Sequence, residues 1–299
     1  MNFLQLSNAL TIAQQKGILP SALGSAELKN AIAASIRNVA TFSARTTSTV
    51  YLEEFKKGME RLLGGGYKND KAQIRLEMKT LLQRLGYDAA TGFPGDEALG
   101  IPPAAPGSLQ DLASDARLNL MLNTRRDLDN GKAMKLAGFE PLQLKVAPCW
   151  ELARIQTRKT PRGDIDSGSP GWGERWVKLG GPDPVTDGGK TRLIAAKTDP
   201  IWRELGDSKN YDDALDVDHP PFAYGSGYGW LPVTASMARR LGVDVSGQRP
   251  PLFTPSSHDE PGKVGVALDT PPVKLVDPVL KKQASDWLAD FRKKHGGFS

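Results

Sequence analysis

The sequence predicts an α+β protein with a helical N-terminal half and a small, irregular, loop-rich C-terminal α+β domain. Apolar residues recur at helical spacing through residues 1–137, which is typical of amphipathic helices. From residue 140 onward, short apolar runs alternate with stretches rich in glycine and proline, which punctuate loops and turns. All six tryptophans lie in this second half, where such large rings can fill a small core.

Length, charge and cysteine content exclude several classes of protein. The chain has 299 residues, a net charge of +5 and one cysteine, so it offers no internal disulfide and no cysteine zinc cluster. No apolar run approaches the roughly 20 residues that span a bilayer, and the N-terminus lacks the pattern of a signal peptide. We therefore expect a protein made in the cytoplasm, without a membrane segment or a cofactor. The mild positive charge favours non-specific contact with DNA.

Four helices are predicted in the first part of the chain. A first helix covers 4–12, and Ser25 caps a second that continues to Ile36 because serine accepts from the free amides of a first turn. A third covers Val50–Leu63, whose apolar residues share one face. Asn69 caps a fourth helix, for which Gly86 supplies a left-handed stop.

A linker and a long helix follow. Residues 88–107 are rich in glycine and proline and predict turns and extended chain rather than a helix or strand. Ser108 opens the longest helix, in which Gly131 introduces a bend and Gly138 forms the end. The boundary between a helical N-terminal region, 1–107, and the next domain, 108–243, is therefore placed after residue 107.

The domain 108–243 continues with short elements. The run 142–146 is strand-like, and 159–190 is interpreted as irregular chain packed around its tryptophans or as mobile chain. Short helices are predicted over Pro200–Leu205 and over Ala235–Leu241, the latter capped by Thr234.

The remainder, 244–299, is a proline-rich extension that ends in an amphipathic helix. Val264–Leu268 is a candidate edge strand. Asp277 caps the C-terminal helix and Pro278 occupies its first position, where a missing backbone N–H costs nothing.

Candidate catalytic and metal-binding residues are few. The three histidines are far apart, and the acidic run before His219 is either part of a metal site or, as we favour, a turn that leads into Pro220-Pro221. Gly225-Ser226-Gly227 either exposes Ser226 in a tight loop or forms a turn that lets the aromatic residues around it pack inward. We favour the turn, since no nucleophile elbow is present. Cys149 is interpreted as a small apolar residue beside Trp150.

Two segments together resemble a known family. The first is Ala-Arg-Leu-Asn-Leu-Met-Leu-Asn-Thr-Arg-Arg at 116–126 with Asn-Gly at 130–131, and the second is Thr-Asp-Pro-Ile-Trp at 198–202 with His-Pro-Pro-Phe-Ala-Tyr-Gly-Ser-Gly at 219–227. They are similar to the phage head-morphogenesis family, the Mu F-like minor head proteins of tailed phages and prophages. The resemblance covers about residues 40–235. Its signature residues, expected to form the domain core rather than a ligand site, are Trp202, Pro221, Phe222, Tyr224, Ser226, Gly227 and Trp230.

The resemblance implies a structural role in the virion. Such a protein is a minor component of the head, assembled with the portal and major capsid proteins. The resemblance implies no catalytic, cofactor-binding or metal-binding residue. No cysteine pair follows His219-Pro220 here, although many members have one, so the resemblance carries no metal role. Two alternatives stay open: an ADP-ribosyltransferase-like or hydrolase module in residues 140–299, and a packaging factor that contacts DNA.

Overall fold

A computed structural model describes residues 3–64, 70–156, 171–243 and 245. These residues fall into two compact units, an N-terminal unit within 6–126 and a C-terminal unit that begins at Asp127 and also takes in residues 3–5. The division lies between Arg126 and Asp127, inside one helix. The predicted domain boundaries after residues 107 and 243 stay predictions.

The described residues form an α+β fold with a helical N-terminal half, as predicted. In chain order the elements are α1 (Phe3–Gln15), β1 (Gly17–Ile18), α2 (Ser25–Ala31), α3 (Ala34–Asn38), β2 (Ala40–Thr41), α4 (Thr49–Gly64), α5 (Lys71–Arg84), a 3-10 helix (Asp96–Leu99), α6 (Asp115–Gly138), α7 (Pro141–Val146), β3 (Cys149–Arg154), α8 (Trp172–Lys178), β4 (Val185–Asp187), β5 (Lys190–Ala196), α9 (Ile201–Glu204), β6 (Tyr228–Val233) and α10 (Ala235–Arg240).

The N-terminal unit is built on amphipathic helices. The prediction for α4 is confirmed to within a residue at each end, and its Leu52, Phe55 and Met59 are buried. The second predicted helix is broken, because the chain leaves helical geometry at Ile32 before α3 begins. Gly24 precedes α2, so the predicted cap at Ser25 is wrong. Asp70 caps α5 by accepting from the amide of Ala72, and the predicted cap at Asn69 lies outside the described residues.

The segment 88–107 has more order than the sequence predicted. It includes the 3-10 helix Asp96–Leu99, where the buried Asp96 carboxylate accepts from the Phe93 amide at 2.8 Å. A single side chain thus fixes a turn that composition alone does not reveal. The predicted start of the long helix at Ser108 is also wrong. Helix α6 begins at Asp115, because the hydroxyl of Ser114 accepts from the amide of Arg117 and caps its first turn.

The C-terminal unit contains a four-stranded antiparallel sheet in the order β4-β5-β3-β6. The predicted strand at 142–146 is wrong, because Pro141 starts helix α7 there, which buries Leu144 and leaves Leu142 and Val146 exposed to solvent. The central strand is the next segment, β3. Helices α9 and α10 confirm the predictions, and Thr234 caps α10 by accepting from the Met237 amide.

The prediction of irregular chain over 159–190 is wrong for its described part. Helix α8, strand β4 and the first residue of β5 lie there, because Trp172 and Trp176 anchor the helix in the core. The predicted strand at 264–268 and the predicted C-terminal helix from Asp277 lie outside the described residues. None of the helices in the described part of the chain is long and apolar enough to cross a membrane.

The two faces of the sheet differ in what they contact. Trp150 and Leu152 of β3 point to one face, where helices α8 and α9 complete an aromatic core. Cys149 points to the other, which we call the α10 face because Ala238 of α10 packs there with Cys149, Ile194 and Val233. The alternation follows from the two-residue period of a strand.

Candidate functional site

Tryptophan rings form the centre of the C-terminal unit. Trp150 stacks on Trp230 with ring centroids 3.7 Å apart and planes 9° apart. Trp202 stands edge-on to both, at 6.1 Å from Trp150 and 5.4 Å from Trp230. Phe222 is fully buried beside Trp202. Stacked and edge-to-face pairs each add about 0.5–1.5 kcal/mol beyond the area that they bury, so this cluster is a major source of the unit's stability.

The polar atoms of these rings are mostly bonded to backbone. The indole N–H of Trp202 donates to the carbonyl of Ala196, and that of Trp176 donates to the carbonyl of Pro182, both at 2.7 Å. The indole N–H of Trp230 is buried without a hydrogen-bond acceptor among the described residues. The bonded rings are fixed in orientation as well as in position, which fits a structural core better than an adaptable ligand pocket.

Six of the seven predicted signature residues are buried. They are Trp202, Pro221, Phe222, Ser226, Gly227 and Trp230. Tyr224 is 36% exposed, so the expectation that it belongs to the core is wrong. The amide of Ser226 donates to the carbonyl of Ala223 at 3.1 Å. This bond closes a four-residue turn with Tyr224 and Gly225 at its corner, and corner side chains point away from the body of a domain.

The structure agrees with the interpretation of Gly225-Ser226-Gly227 as a turn and not with an exposed Ser226 nucleophile. Its side chain is fully buried, and its hydroxyl accepts from the amide of Tyr228 at 3.3 Å. Gly225 and Gly227 both have positive φ, at 53° and 69°, a conformation that glycine adopts at little cost. The two glycines therefore turn the chain so that Ser226 faces inward and β6 can begin.

The two segments that carry the family resemblance contact each other. A Cβ built on Gly131 of α6 would lie 1.7 Å from the Pro220 carbonyl oxygen and 2.8 Å from Nδ1 of His219. The backbone of the second segment therefore lies directly on the helix, and only glycine leaves room for it. Gly131 is needed for this close approach. The sequence analysis interpreted it as a bend, because nothing in the local sequence reveals a contact partner about 90 residues away.

His219 is buried at this contact. Its Nδ1 donates to the Pro220 carbonyl at 3.0 Å, and because a carbonyl only accepts, the proton of the neutral ring is on Nδ1. Burial lowers the pKa of His219 to about 4, with Lys132 and Lys135 adding to the effect and Asp218 opposing it. The ring is therefore neutral near pH 7.

Lys135 of α6 and Asp218, which precedes His219, form an electrostatic link beside this contact. Their side chains form an ion pair at 2.5 Å, with the lysine 15% and the carboxylate 36% exposed. Burial alone would raise the pKa of Asp218, but Lys135 and His219 outweigh it and hold that pKa below its ordinary value. The metal interpretation of the acidic run before His219 has no support in this part of the chain, because the described residues contain no group of three or more potential ligands.

Lys197 is a buried charge that the sequence reasoning missed. It follows β5 and is 4% exposed, and its ammonium donates to the carbonyls of Gly138 at 2.8 Å and Gln143 at 3.4 Å. The Gly138 carbonyl lies at the end of α6, where backbone acceptors lack helical partners, and the Gln143 carbonyl of α7 also accepts from the amide of Ala147. Burial lowers the pKa of Lys197 to about 8, and the nearby Cys149 opposes this shift in part. A lysine directly after a buried strand is the only local signal.

The arrangement is closed rather than open to a substrate. His219, Ser226 and Cys149 are the described side chains with nucleophile or acid–base chemistry that the sequence reasoning examined, and each is less than a tenth exposed. Their contacts are with backbone and packed rings, which positions them to hold the fold. No protein-family model, curated protein sequence or solved structure matches this chain.

Proposed function

We propose that this chain is a minor head protein of a tailed phage or prophage, made in the host cytoplasm and built into the virion at or near the portal. The proposal begins with the sequence resemblance. One structural observation supports it: Gly131 of the first resembling segment packs against Pro220 of the second. The contact is made by the end of the first segment, Asn130-Gly131, which lies in the C-terminal unit with the second segment, whereas residues 116–126 belong to the N-terminal unit.

The surface of the C-terminal unit is compatible with assembly partners. Leu142 and Val146 lie one turn apart on α7 and are 68% and 51% exposed, and Val177 on α8 is 61% exposed. Apolar side chains that face water offer a surface that a protein partner can cover. The partners that we propose are the portal and major capsid proteins, in a multimeric assembly.

Mass spectrometry of purified virions and procapsids tests the proposal directly. The chain is expected in at least one of these particles at a fixed ratio to portal protein, and its absence from both would contradict the proposal. Double substitution of Leu142 and Val146 by serine is expected to reduce incorporation without unfolding the chain. Substitution of exposed polar residues on another helix, Gln83 and Arg84 of α5, by serine is the matched control.

The DNA-packaging alternative has its own measurement. Its only support is the net charge of +5, and it requires binding to duplex DNA that weakens steeply as salt is raised.

The enzyme alternative requires an activity that disappears on substitution of Ser226 or His219 while the fold stays intact. The burial of both side chains disfavours it.

A further inference from the structure

Residues 216–221 form a short loop whose two ends are fixed in the aromatic core. The amide of Leu215 donates to the carbonyl of Phe222 at 2.9 Å, and Ala214 forms an isolated bridge with Ala223. Phe222 and Ala223 are fully buried members of the tryptophan cluster. The 216–221 loop therefore leaves and re-enters the core at one point, so its tip can move while the cluster stays packed.

The loop packs against two glycines from other parts of the C-terminal unit. A Cβ built on Gly206, just after α9, would lie 1.7 Å from the carbonyl oxygen of Val217, and a Cβ on Gly131 of α6 would lie 1.7 Å from that of Pro220. The amide of Asp216 donates to the Gly206 carbonyl at 2.7 Å, and Asp216 has a left-handed φ of 57°, which residues other than glycine adopt only at a cost. Contacts as close as these are either made in full or lost, because packed surfaces do not deform continuously.

His219 lies in this contact, 6% exposed, and its Nδ1 donates to the Pro220 carbonyl. Burial is the strongest obstacle to a second proton on the ring, Lys132 and Lys135 of α6 add to it, and Asp218 opposes it. The Asp218 carboxylate is already paired with Lys135 at 2.5 Å, and its pKa is held below the ordinary value, so it stays ionised at pH 5. A protonated ring is therefore a third cation beside one carboxylate, inside the protein.

We propose that the 216–221 loop is an acid-sensitive switch, in which a proton on His219 releases the loop from Gly131 and Gly206 while the tryptophan cluster stays packed. Release lets water reach the ring, so the new charge on Nε2 is hydrated and is separated from the lysines of α6. It also frees Asp216 from its left-handed backbone conformation. The proposal concerns the motion of one loop, and it does not depend on a role in the virion.

Linkage between protonation and release sets the size of the response. The pKa of His219 is about 4 in the closed loop, because burial disfavours the charged ring, and it returns to about 6.5 when the ring is in water. The released loop therefore binds the proton more strongly, so closure is fully favoured above pH 6.5 and is lost progressively as the pH falls toward 4. Between pH 7 and pH 5 the ratio of released to closed loop is expected to rise about twentyfold.

Amide hydrogen exchange in the full chain at pH 7 and pH 5 tests the proposal, with each rate divided by the intrinsic rate at that pH. The Asp216 amide reports the loop, and the Leu152 amide, in the central strand β3, reports the core. Protection of the Asp216 amide is expected to fall about twentyfold at pH 5 and to be insensitive to low urea concentrations, since local opening exposes little surface. Protection of the Leu152 amide is expected to be higher at both pH values and to fall with urea. Equal protection and equal urea dependence at the two amides would mean that the loop opens only when the unit unfolds, and would overturn the proposal.

Substitutions show whether His219 is the proton acceptor. His219→Gln keeps a donor for the Pro220 carbonyl but does not titrate, so the fall in Asp216 protection is expected to disappear, with near-ultraviolet circular dichroism of the tryptophan cluster as the check on folding. The matched control replaces the two other histidines, His258 and His295, by glutamine and is expected to keep the fall. In the unsubstituted chain, an NMR titration of the His219 ring gives an independent measurement. The proposal is overturned by a fall that persists in His219→Gln, and equally by a ring that gains its proton near pH 6.5 while the Asp216 amide stays protected.

Discussion

Two helical glycines of the C-terminal unit have different surroundings. Gly131 in α6 lies against the Pro220 carbonyl, with a hypothetical Cβ only 1.7 Å from that oxygen, whereas Gly173 in α8 has nothing within 4 Å of its Cβ position. The contact at Gly131 is with backbone, which cannot rotate away as a side chain does. The size of the side chain therefore matters at one glycine and not at the other.

Gly131→Ala is expected to destabilise the protein by about 3 kcal/mol or more, because the helix and the Pro220 segment must separate. Gly173→Ala is expected to be neutral or to stabilise by roughly 0.5 kcal/mol, since alanine restricts the unfolded chain. Urea denaturation followed by tryptophan fluorescence measures both. Equal midpoints for the two variants would contradict the close approach at Gly131.

His219 is expected to make the C-terminal unit sensitive to acid. Its pKa in the folded protein, about 4, is below the ordinary 6.5, so the unfolded chain binds the proton more strongly between these values. Stability is therefore fully present above pH 6.5 and falls as the pH decreases toward 4. The loss between pH 7 and pH 5 is roughly 2 kcal/mol.

The variant His219→Gln isolates this contribution. It removes the titrating group, so its free energy of unfolding is expected to change less than that of the native chain over the same pH range. Paired urea titrations at pH 7 and pH 5 give the difference. If both proteins lose the same stability, His219 is not held neutral by burial.

At the scale of elements, Lys197 joins the ends of two helices to the sheet. Its pKa of about 8 is below the ordinary 10.5, so the charged form costs stability at and below neutral pH, and this cost disappears as the pH rises from 8 toward 10.5. The native chain is therefore expected to gain about 1–2 kcal/mol between pH 7.5 and pH 9.5. Lys197→Met is expected to lose this gain.

The control for Lys197 is Lys190→Met, which removes an exposed lysine from β5, the strand that Lys197 follows. It is expected to keep the rise of stability with pH. Denaturation midpoints measured every half unit of pH separate the two variants. A native chain whose stability falls over this range would show that the folded protein prefers Lys197 charged.

Sequence patterns predicted some elements well and others poorly. Helix α4 was predicted closely because its buried face repeats over four turns within one segment. Residues 142–146 were mistaken for a strand, since a five-residue apolar alternation does not distinguish the two structures. Pro141 at the first helical position was the local signal that favoured a helix.

Much of the candidate site is built from contacts between residues that are distant in sequence, which no local sequence pattern reveals. The burial of Trp202, Phe222 and Trp230 agrees with the predicted core, because large aromatic residues in a small domain have few other places to pack. Tyr224 is exposed because a turn at 223–226 directs it outward. The role of Gly131 requires a partner that is distant in sequence, so it was accessible only from the fold.

At the scale of the whole molecule, each compact unit has its own set of buried residues. The N-terminal unit buries Tyr51, Phe55 and Leu82 among its helices, and the C-terminal unit buries the tryptophan cluster. All of the described tryptophans belong to the C-terminal unit, whereas most of the described helices precede it. Indole fluorescence and far-ultraviolet circular dichroism therefore report different parts of the chain, provided that Trp287, outside the described residues, is replaced by phenylalanine.

In the Trp287→Phe background, Leu82→Ala is expected to lower the circular dichroism midpoint in urea and to leave the fluorescence midpoint nearly unchanged. Leu82 is 1% exposed in α5, and removing a buried leucine side chain costs about 2–5 kcal/mol. Ile201→Ala, in the core of the C-terminal unit, is the matched variant and is expected to lower the fluorescence midpoint instead. Helix α6 runs from Asp115 to Gly138, and the division between the two units falls within it. Coincident shifts of both probes in both variants would mean that this helix couples the two cores into one cooperative transition.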